Sequence, residues 1–319
     1  MRINGFDSSP EAAMSFMQTQ RTYVEQGLYE KRYPGVDYME NIFVDSSAPE
    51  WAPIIAVDAV DIRGELAFSG PNSNDINAAE IGYSRGTTDV QSAQLGYRYS
   101  LEELNEAMYM NRNLSQDRAD AVNRLVEQGI NKLAYLGNTS AGKVGLFNDT
   151  GNGRIPVSTA AGTIASMIAA ATDIAGAQAI VTFFQSAVNK VYVDQTNTTF
   201  MPTDILIPVS QYTSLASAIL PFGGNMTLLN YLEANLVTGK GGRITISPNI
   251  NLKGVGASDS DRMMVYTKDE TVSKFHLPMG FRFGEIFRES PNSFFVPGML
   301  RTGGTDNRVP NAHHYIDGV

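Results

Sequence analysis

Few residues in this chain have types and spacing that could do chemistry. Gly137-Asn138-Thr139-Ser140-Ala141-Gly142-Lys143-Val144 carries the glycines and the lysine of a phosphate-binding loop. In such a loop backbone amides cradle the phosphates, the lysine reaches them, and a Ser or Thr after the lysine holds magnesium. Here Val144 stands in that last position. The stretch also follows a helical pattern, whereas the motif needs a strand before it and a helix after it. The spacing therefore predicts a helix cap followed by a loop. A P-loop-like nucleotide enzyme using Gly137 to Lys143 is the rival reading of a different class.

The three histidines are His276, His313 and His314. His276 falls in a strand pattern and is expected at a half-buried or surface position, not as a ligand. His313 and His314 are adjacent, and neighbours in an extended chain point to opposite sides, which makes a poor chelating pair. Asp259 and Asp261 do not continue into a calcium loop. Glu102 and Glu103 suit the first turn of a helix, where negative charge is favourable. Neither His-Glu-x-x-His nor Gly-x-Ser-x-Gly occurs. With no cysteine there is no thiolate ligand, thiol nucleophile or disulfide. The sequence thus predicts no catalytic, cofactor-binding or metal-binding residue, and no cofactor.

The elements that must position these groups follow from apolar spacing. Ser9-Pro10 starts a helix over 10–31 with Met14, Met17, Val24 and Leu28 on one side, ended by Tyr33-Pro34-Gly35. Strand-like residues from Ile54 to Phe68, the turn formers Ser69 to Asp75 and a second extended run over 81–99 predict a long β-hairpin with a polar tip. Ser100-Leu101-Glu102-Glu103 is a capping box opening a short helix. A longer helix over 116–136 carries a stripe of Val122, Val126, Gly129, Leu133 and Leu136, with Gly137 as its C-terminal cap. At 1.5 Å per residue it is about 30 Å long. Gly129 on that stripe predicts close approach of another backbone. Ile174 to Val191 gives the strongest helical period, followed by a buried strand at 204–209 and a helix 211–219 capped by Ser210. Leu228, Leu229, Leu232 and Leu236 place a helix closed by Gly239. Strands are expected at 243–247, 262–268, 271–277, 280–288 and 293–301.

The bulk properties narrow the function class. The chain has 319 residues, 43% apolar and only 18% charged, with 29 Gly and 14 Pro. That is a loop-rich α+β composition with surface to spare for partners. The net charge is −9 and the 24 Lys and Arg are scattered, so no basic stripe offers itself to nucleic acid. No apolar run approaches the roughly 18 residues of a membrane span. The N-terminus lacks the apolar core of a signal peptide. A soluble chain, with no membrane, is expected.

Several short motifs, in order along most of the chain, resemble one known family. They are Gly96-Tyr97-Arg98-Tyr99-Ser100-Leu101-Glu102-Glu103, Gly145-Leu146-Phe147-Asn148, Asp261-Arg262-Met263-Met264-Val265-Tyr266, Arg301-Thr302-Gly303-Gly304, Arg308-Val309-Pro310 and Tyr315-Ile316-Asp317-Gly318. Together they resemble the major capsid proteins of tailed bacteriophages. The resemblance implies an α+β, HK-97-like capsid fold. Its parts would be an N-terminal arm (1–45), an extended β-hairpin loop (46–99), a peripheral domain with the long helix as spine (100–160), an axial domain (161–264), and strands returning to the peripheral domain (265–319).

It also implies a non-enzymatic shell protein assembling with itself into pentamers and hexamers of an icosahedral head. The shell would enclose double-stranded DNA without specific binding and be built in the host cytoplasm as part of the virion. Portal, scaffolding and decoration proteins are possible partners by the same resemblance. The chain begins almost at the arm, so the cleaved scaffolding segment of some relatives is expected to be absent or a separate protein. No Lys and Asn pair identifies the side-chain cross-link of other relatives. The nearest rival is an encapsulin-type cellular nanocompartment shell of the same fold.

Overall fold

The computed structural model describes residues 35–66, 78–109, 114–171, 173–219, 226–236 and 242–319. The helix expected over 10–31, the hairpin tip at 69–75 and the cap at Gly239 lie outside the described residues. Residues 36–319 form one compact unit. It opens with α1 (Tyr38–Asn41), β1 (Phe43–Asp45), β2 (Ile54–Arg63), β3 (Glu80–Asp89), β4 (Gln91–Gln94) and β5 (Tyr97–Ser100). Two helices follow, α2 (Leu101–Tyr109) and α3 (Leu114–Leu136), then β6 (Val157–Thr159). Next come α4 (Ile164–Ala170), α5 (Ile174–Asn189), a π-helical turn (Lys190–Gln195), β7 (Asp204–Pro208), α6 (Val209–Ser217) and α7 (Leu228–Asn235). The rest is strand: β8 (Thr245–Asn249), β9 (Arg262–Tyr266), β10 (Ser273–His276), β11 (Met279–Phe283), β12 (Phe287–Ser290), β13 (Ser293–Val296), β14 (Gly298–Thr302), β15 (Gly304–Asn307) and β16 (His313–Asp317).

The organising element is a five-stranded mixed sheet, order β6-β16-β9-β7-β8. It draws on residues from three of the sequence segments, 100–160, 161–264 and 265–319. Its inner strands β16, β9 and β7 are buried almost without alternation because both faces are covered. Ile205 and Ile207 of β7, Met263 and Val265 of β9 and Ile316 of β16 enter one core with Ile164, Phe184, Leu215 and Leu232. The alternate residues Leu206, Met264, Tyr266 and Tyr315 enter a second core with Val122, Val126, Ile130, Tyr135 and Phe147. Two helical layers therefore share one wall. Smaller sheets, β1-β10-β15, β11-β14-β4 and β12-β13-β5, continue the second layer, and among the described residues β2 pairs only with β3.

Local signals hold where they are chemical. Ser100 and Glu103 make the reciprocal capping box: Glu103 N–H donates to Ser100 Oγ (3.2 Å) and Ser100 N–H to Glu103 Oε2 (3.0 Å). Gly137 caps α3 with φ +66°, and a Cβ there would lie 2.4 Å from the Lys143 carbonyl oxygen. Others are corrected. The second hairpin run divides into β3, β4 and β5. The strand expected over 293–301 breaks into β13 and β14 at Pro297, which has no N–H for a ladder. The helix given to Ser210 begins at Val209, directly after Pro208 closes β7, so Ser210 is not its cap. Among the described residues no helix is long and apolar enough to cross a membrane.

The α3 stripe is rotated from its expected position. The buried positions are Val122, Val126, Ile130, Asn131, Ala134 and Tyr135, whereas Gly129 is exposed. A Cβ at Gly129 would meet nothing within 4 Å. Close backbone approach is therefore not the reason for glycine within the subunit. Gly129→Ala is expected to stabilise the isolated subunit by up to about 1 kcal/mol, the helix-propensity difference, as measured by denaturant unfolding.

Candidate functional site

Three of the six motifs, those at 145–148, 261–266 and 315–318, meet at one buried node. Gly145-Leu146-Phe147-Asn148 folds back on the end of α3: Leu146 N–H donates to Ala134 O (2.9 Å) and Phe147 N–H to Tyr135 O (2.8 Å). Gly145 must be glycine here, since a Cβ would lie 2.3 Å from the Tyr135 carbonyl oxygen. Tyr135 and Phe147 stack with centroids 4.7 Å apart. Arg262 donates from Nη1 to Phe147 O (2.6 Å) and grips Asp317 through Nε and Nη2 (2.6 and 2.9 Å). Asp317 also accepts from Ala257 N–H (2.9 Å). The guanidinium lies 4.5 Å from the centre of the Tyr315 ring, and Tyr315 OH donates to Leu146 O. Burial alone would raise the Asp317 pKa; its hydrogen bonds to Arg262 and Ala257, and the guanidinium charge, outweigh that and lower it. The node joins α3, the turn that follows it and the central sheet.

The near-match to a phosphate loop is closed on itself. Asn138 and Lys143 exchange N–H···O bonds of 2.9 Å each way, so the amides point inward. Lys143 Nζ donates to the Asp89 carbonyl, and Gln91 Nε2 donates to Ala141 O (3.3 Å). Burial lowers the Lys143 pKa. The loop clamps the end of β3 instead of a nucleotide.

His276 is fully buried, not at the expected half-buried or surface position. Its nitrogens lie 3.5 Å from Asp45 and 3.6 Å from Asp306, beyond hydrogen-bond range. His313 and His314 do face opposite ways: His313 stacks on Tyr266, and His314 meets Ser158 and Gln195. Asp261 accepts from Gly254 N–H (3.1 Å) and so shapes its own loop. Among the described residues no group of three or more His, Asp or Glu is placed to hold a metal ion.

Among the described residues the hairpin β2–β3 forms a two-stranded sheet of its own. Its register opposes Ile54 with Asp89 through to Arg63 with Glu80. Directly opposed residues share a face. One face carries Val60 opposite Tyr83 and Ile62 opposite Ile81, exposed by 57%, 77%, 74% and 55%. Below them Arg85 grips Asp58 through two hydrogen bonds, 2.6 and 3.0 Å. The other face is small or polar there: Ala59 with Ser84, Asp61 with Gly82, Arg63 with Glu80. The root is fixed by Arg301, which donates to Glu50 O (2.7 Å) and Ala52 O (3.1 Å) beneath the Trp51 ring. Sequence reasoning located the hairpin. The opposed apolar quartet is visible only once the register is known.

Comparison with known proteins agrees with this geometry. The family model described as major capsid protein matches residues 65–319. No curated protein sequence matches the chain. Among solved structures, the capsid of Myoviridae phage XM1 superposes with TM-score 0.78 at 17% identity, over 94% of this chain and 98% of that one. A structure of Gordonia phage Cozz gives TM-score 0.60 at 13% identity, over 99% and 97%. A virus-like particle from Pyrococcus furiosus gives 0.51 at 11%, over 87% and 91%. At these identities the likeness is one of fold, and it is the α+β, HK-97-like capsid fold.

Two outcomes test the node and its surroundings. Asp317→Asn leaves a buried guanidinium without its countercharge and is expected to cost about 3–5 kcal/mol in denaturant unfolding. Acid should weaken the native state. Burial lowers the pKa of His313 and His314 from 6.5 to about 4. Between those values the unfolded chain binds protons that the native one excludes, so stability falls as pH falls. Asp317 adds stability that is lost as pH drops below the ordinary carboxylate range and through its lowered value. Urea titrations from pH 7 to 4 should show slopes of up to about 1.4 kcal/mol per pH unit for each histidine, shallower in His314→Gln.

Proposed function

The chain belongs to the major capsid protein family, and on that premise we propose that its copies assemble into the icosahedral head of a tailed phage around double-stranded DNA. The observation that carries the assembly reading is the hairpin face of Val60, Ile62, Ile81 and Tyr83, exposed on an element that pairs with no other strand among the described residues. An isolated two-stranded hairpin is marginal in water, and an exposed apolar cluster on it calls for a partner surface. The partner is a second copy of this chain, across which the hairpin lies. Closed rings of such head-to-tail contacts give pentamers and hexamers. The arm at 1–45, the extended loop at 46–99, the peripheral segments at 100–160 and 265–319 and the axial segment at 161–264 are the working division of labour.

Portal, scaffolding and decoration proteins belong to the same proposal, as does assembly in the host cytoplasm. The DNA is held by enclosure and not by a basic surface, in keeping with the net charge of −9. We read the chain as structural and not catalytic. A cellular nanocompartment would use the same fold, but the likeness to the Pyrococcus particle is weaker than that to the XM1 capsid, 0.51 against 0.78.

Replacing residues 66–84 by a short Gly-Ser turn is expected to give a folded, soluble subunit that forms no shells. The paired change Ile62→Ser with Tyr83→Ser should reduce shell yield in the same direction with the hairpin retained. Circular dichroism reads folding; sedimentation and electron microscopy read assembly. Shells of normal size and stability from both variants would refute the hairpin as the assembly element.

A further inference from the structure

An open pocket of about 470 Å³ lies between β6, β16, α5 and the π-helical turn, and Ser158, Lys190, Asp194 and His314 line it. Hydrogen-bond accounting decides which atoms there carry protons. The Gln195 amide nitrogen donates to the carbonyl oxygens of Asn311 (2.8 Å) and His313 (3.1 Å), so its oxygen accepts from His314 Nδ1 (2.8 Å). Nδ1 therefore holds the proton of the neutral ring, and Nε2 presents a lone pair. That lone pair lies 2.9 Å from Ser158 Oγ. The hydroxyl consequently donates to the imidazole, and Gln195 fixes the ring in the orientation and tautomer that draw the proton off the serine. Burial and the neighbouring Lys190 charge lower the His314 pKa to about 4, so the ring is a free base at neutral pH. Lys190, paired with Asp194 at 3.2 Å, lines the same pocket and adds a cation to its wall.

We propose that Ser158 is a covalent modification site, a nucleophilic serine that accepts one acyl group from an activated ester or thioester, with His314 as its base and Gln195 as a positioning residue. Ser158 Oγ forms the new bond to the acyl carbon while its proton passes to His314 Nε2. The bond from the acyl carbon to the leaving oxygen or sulfur breaks, and the leaving group takes that proton from His314. The product is an O-acyl serine and a free alcohol or thiol, with no redox change and no turnover implied.

The test treats the full chain with p-nitrophenyl acetate and maps acetylation by mass spectrometry across pH. Ser158 should react on the order of a hundredfold faster than the other serines, the size of a general-base effect. Its rate should rise through about pH 4 and stay level above. Ser158→Ala should remove the labelled peptide, and His314→Gln should bring the rate to that of the other serines. Lys190→Met, on a half-exposed side chain, should keep the fold and move the midpoint of the pH profile upward, because the repelling charge is gone. Reaction at Ser158 no faster than elsewhere would overturn the proposal. So would a rate unchanged in a folded His314→Gln protein, or a midpoint unmoved in Lys190→Met.

Discussion

The structure depends on one constraint: a mixed sheet whose inner strands are buried on both faces. Leu206 and Met264 face one core while Ile205, Ile207, Met263 and Val265 face the other. Each such side chain contributes about 1.5–3 kcal/mol only if its own face is covered. Two helical layers are therefore required, α3 with its returning turn on one side and α4 to α7 on the other. Register matters more than usual in such a wall. Asp317 is the cross-strand partner of Arg262 in the β16–β9 pairing. A slip of one residue would send Tyr315 and Ile316 to the wrong cores and separate this ion pair. The buried pair offsets its desolvation through Phe147 O and Ala257 N–H, and marks the single register in which the wall closes.

Against that rigid wall the hairpin β2–β3 is an outlier by design of its sequence. Its opposed apolar quartet, Val60, Ile62, Ile81 and Tyr83, lies on one face away from the root, and the ties that hold it lie at the root, in Arg301, Trp51, Lys143 and Gln91. The subunit thus separates a part that folds by burying its own surface from a part that offers surface to something else. A member of the major capsid protein family, whose copies meet in a shell, needs that separation.

Residues that looked chemical serve this architecture. The glycine and lysine stretch after α3 has the composition of a phosphate cradle, but its amides are turned inward by the Asn138–Lys143 bridge and its lysine is spent on the Asp89 carbonyl. His276 sits between two carboxylates inside the β1-β10-β15 sheet instead of near the surface. Composition names the groups available; only the path of the backbone says what they face.

Much was legible in the residues themselves. The capping box at Ser100, the glycine cap at Gly137 and the long helix all rest on interactions within a few residues of one another, so the sequence alone determined them; turn formers between two extended runs marked the hairpin but not its register, and composition excluded cysteine chemistry and a basic stripe. The motif order pointed to the family. What the tertiary structure decided involves partners far apart in the chain. It rotated the buried stripe of α3 from Gly129 to Ile130, because the face that packs is set by the wall it meets. It brought β16 between β6 and β9, joining Asp317 to Arg262 and Ser158 to His314 across more than 50 and 150 residues. It aligned Val60 with Tyr83 and Ile62 with Ile81 through pairing between strands, which no local spacing encodes. Short-range contacts are written in neighbouring side chains. Long-range ones exist only once the chain has closed on itself, and both the node and the exposed quartet are of that second kind.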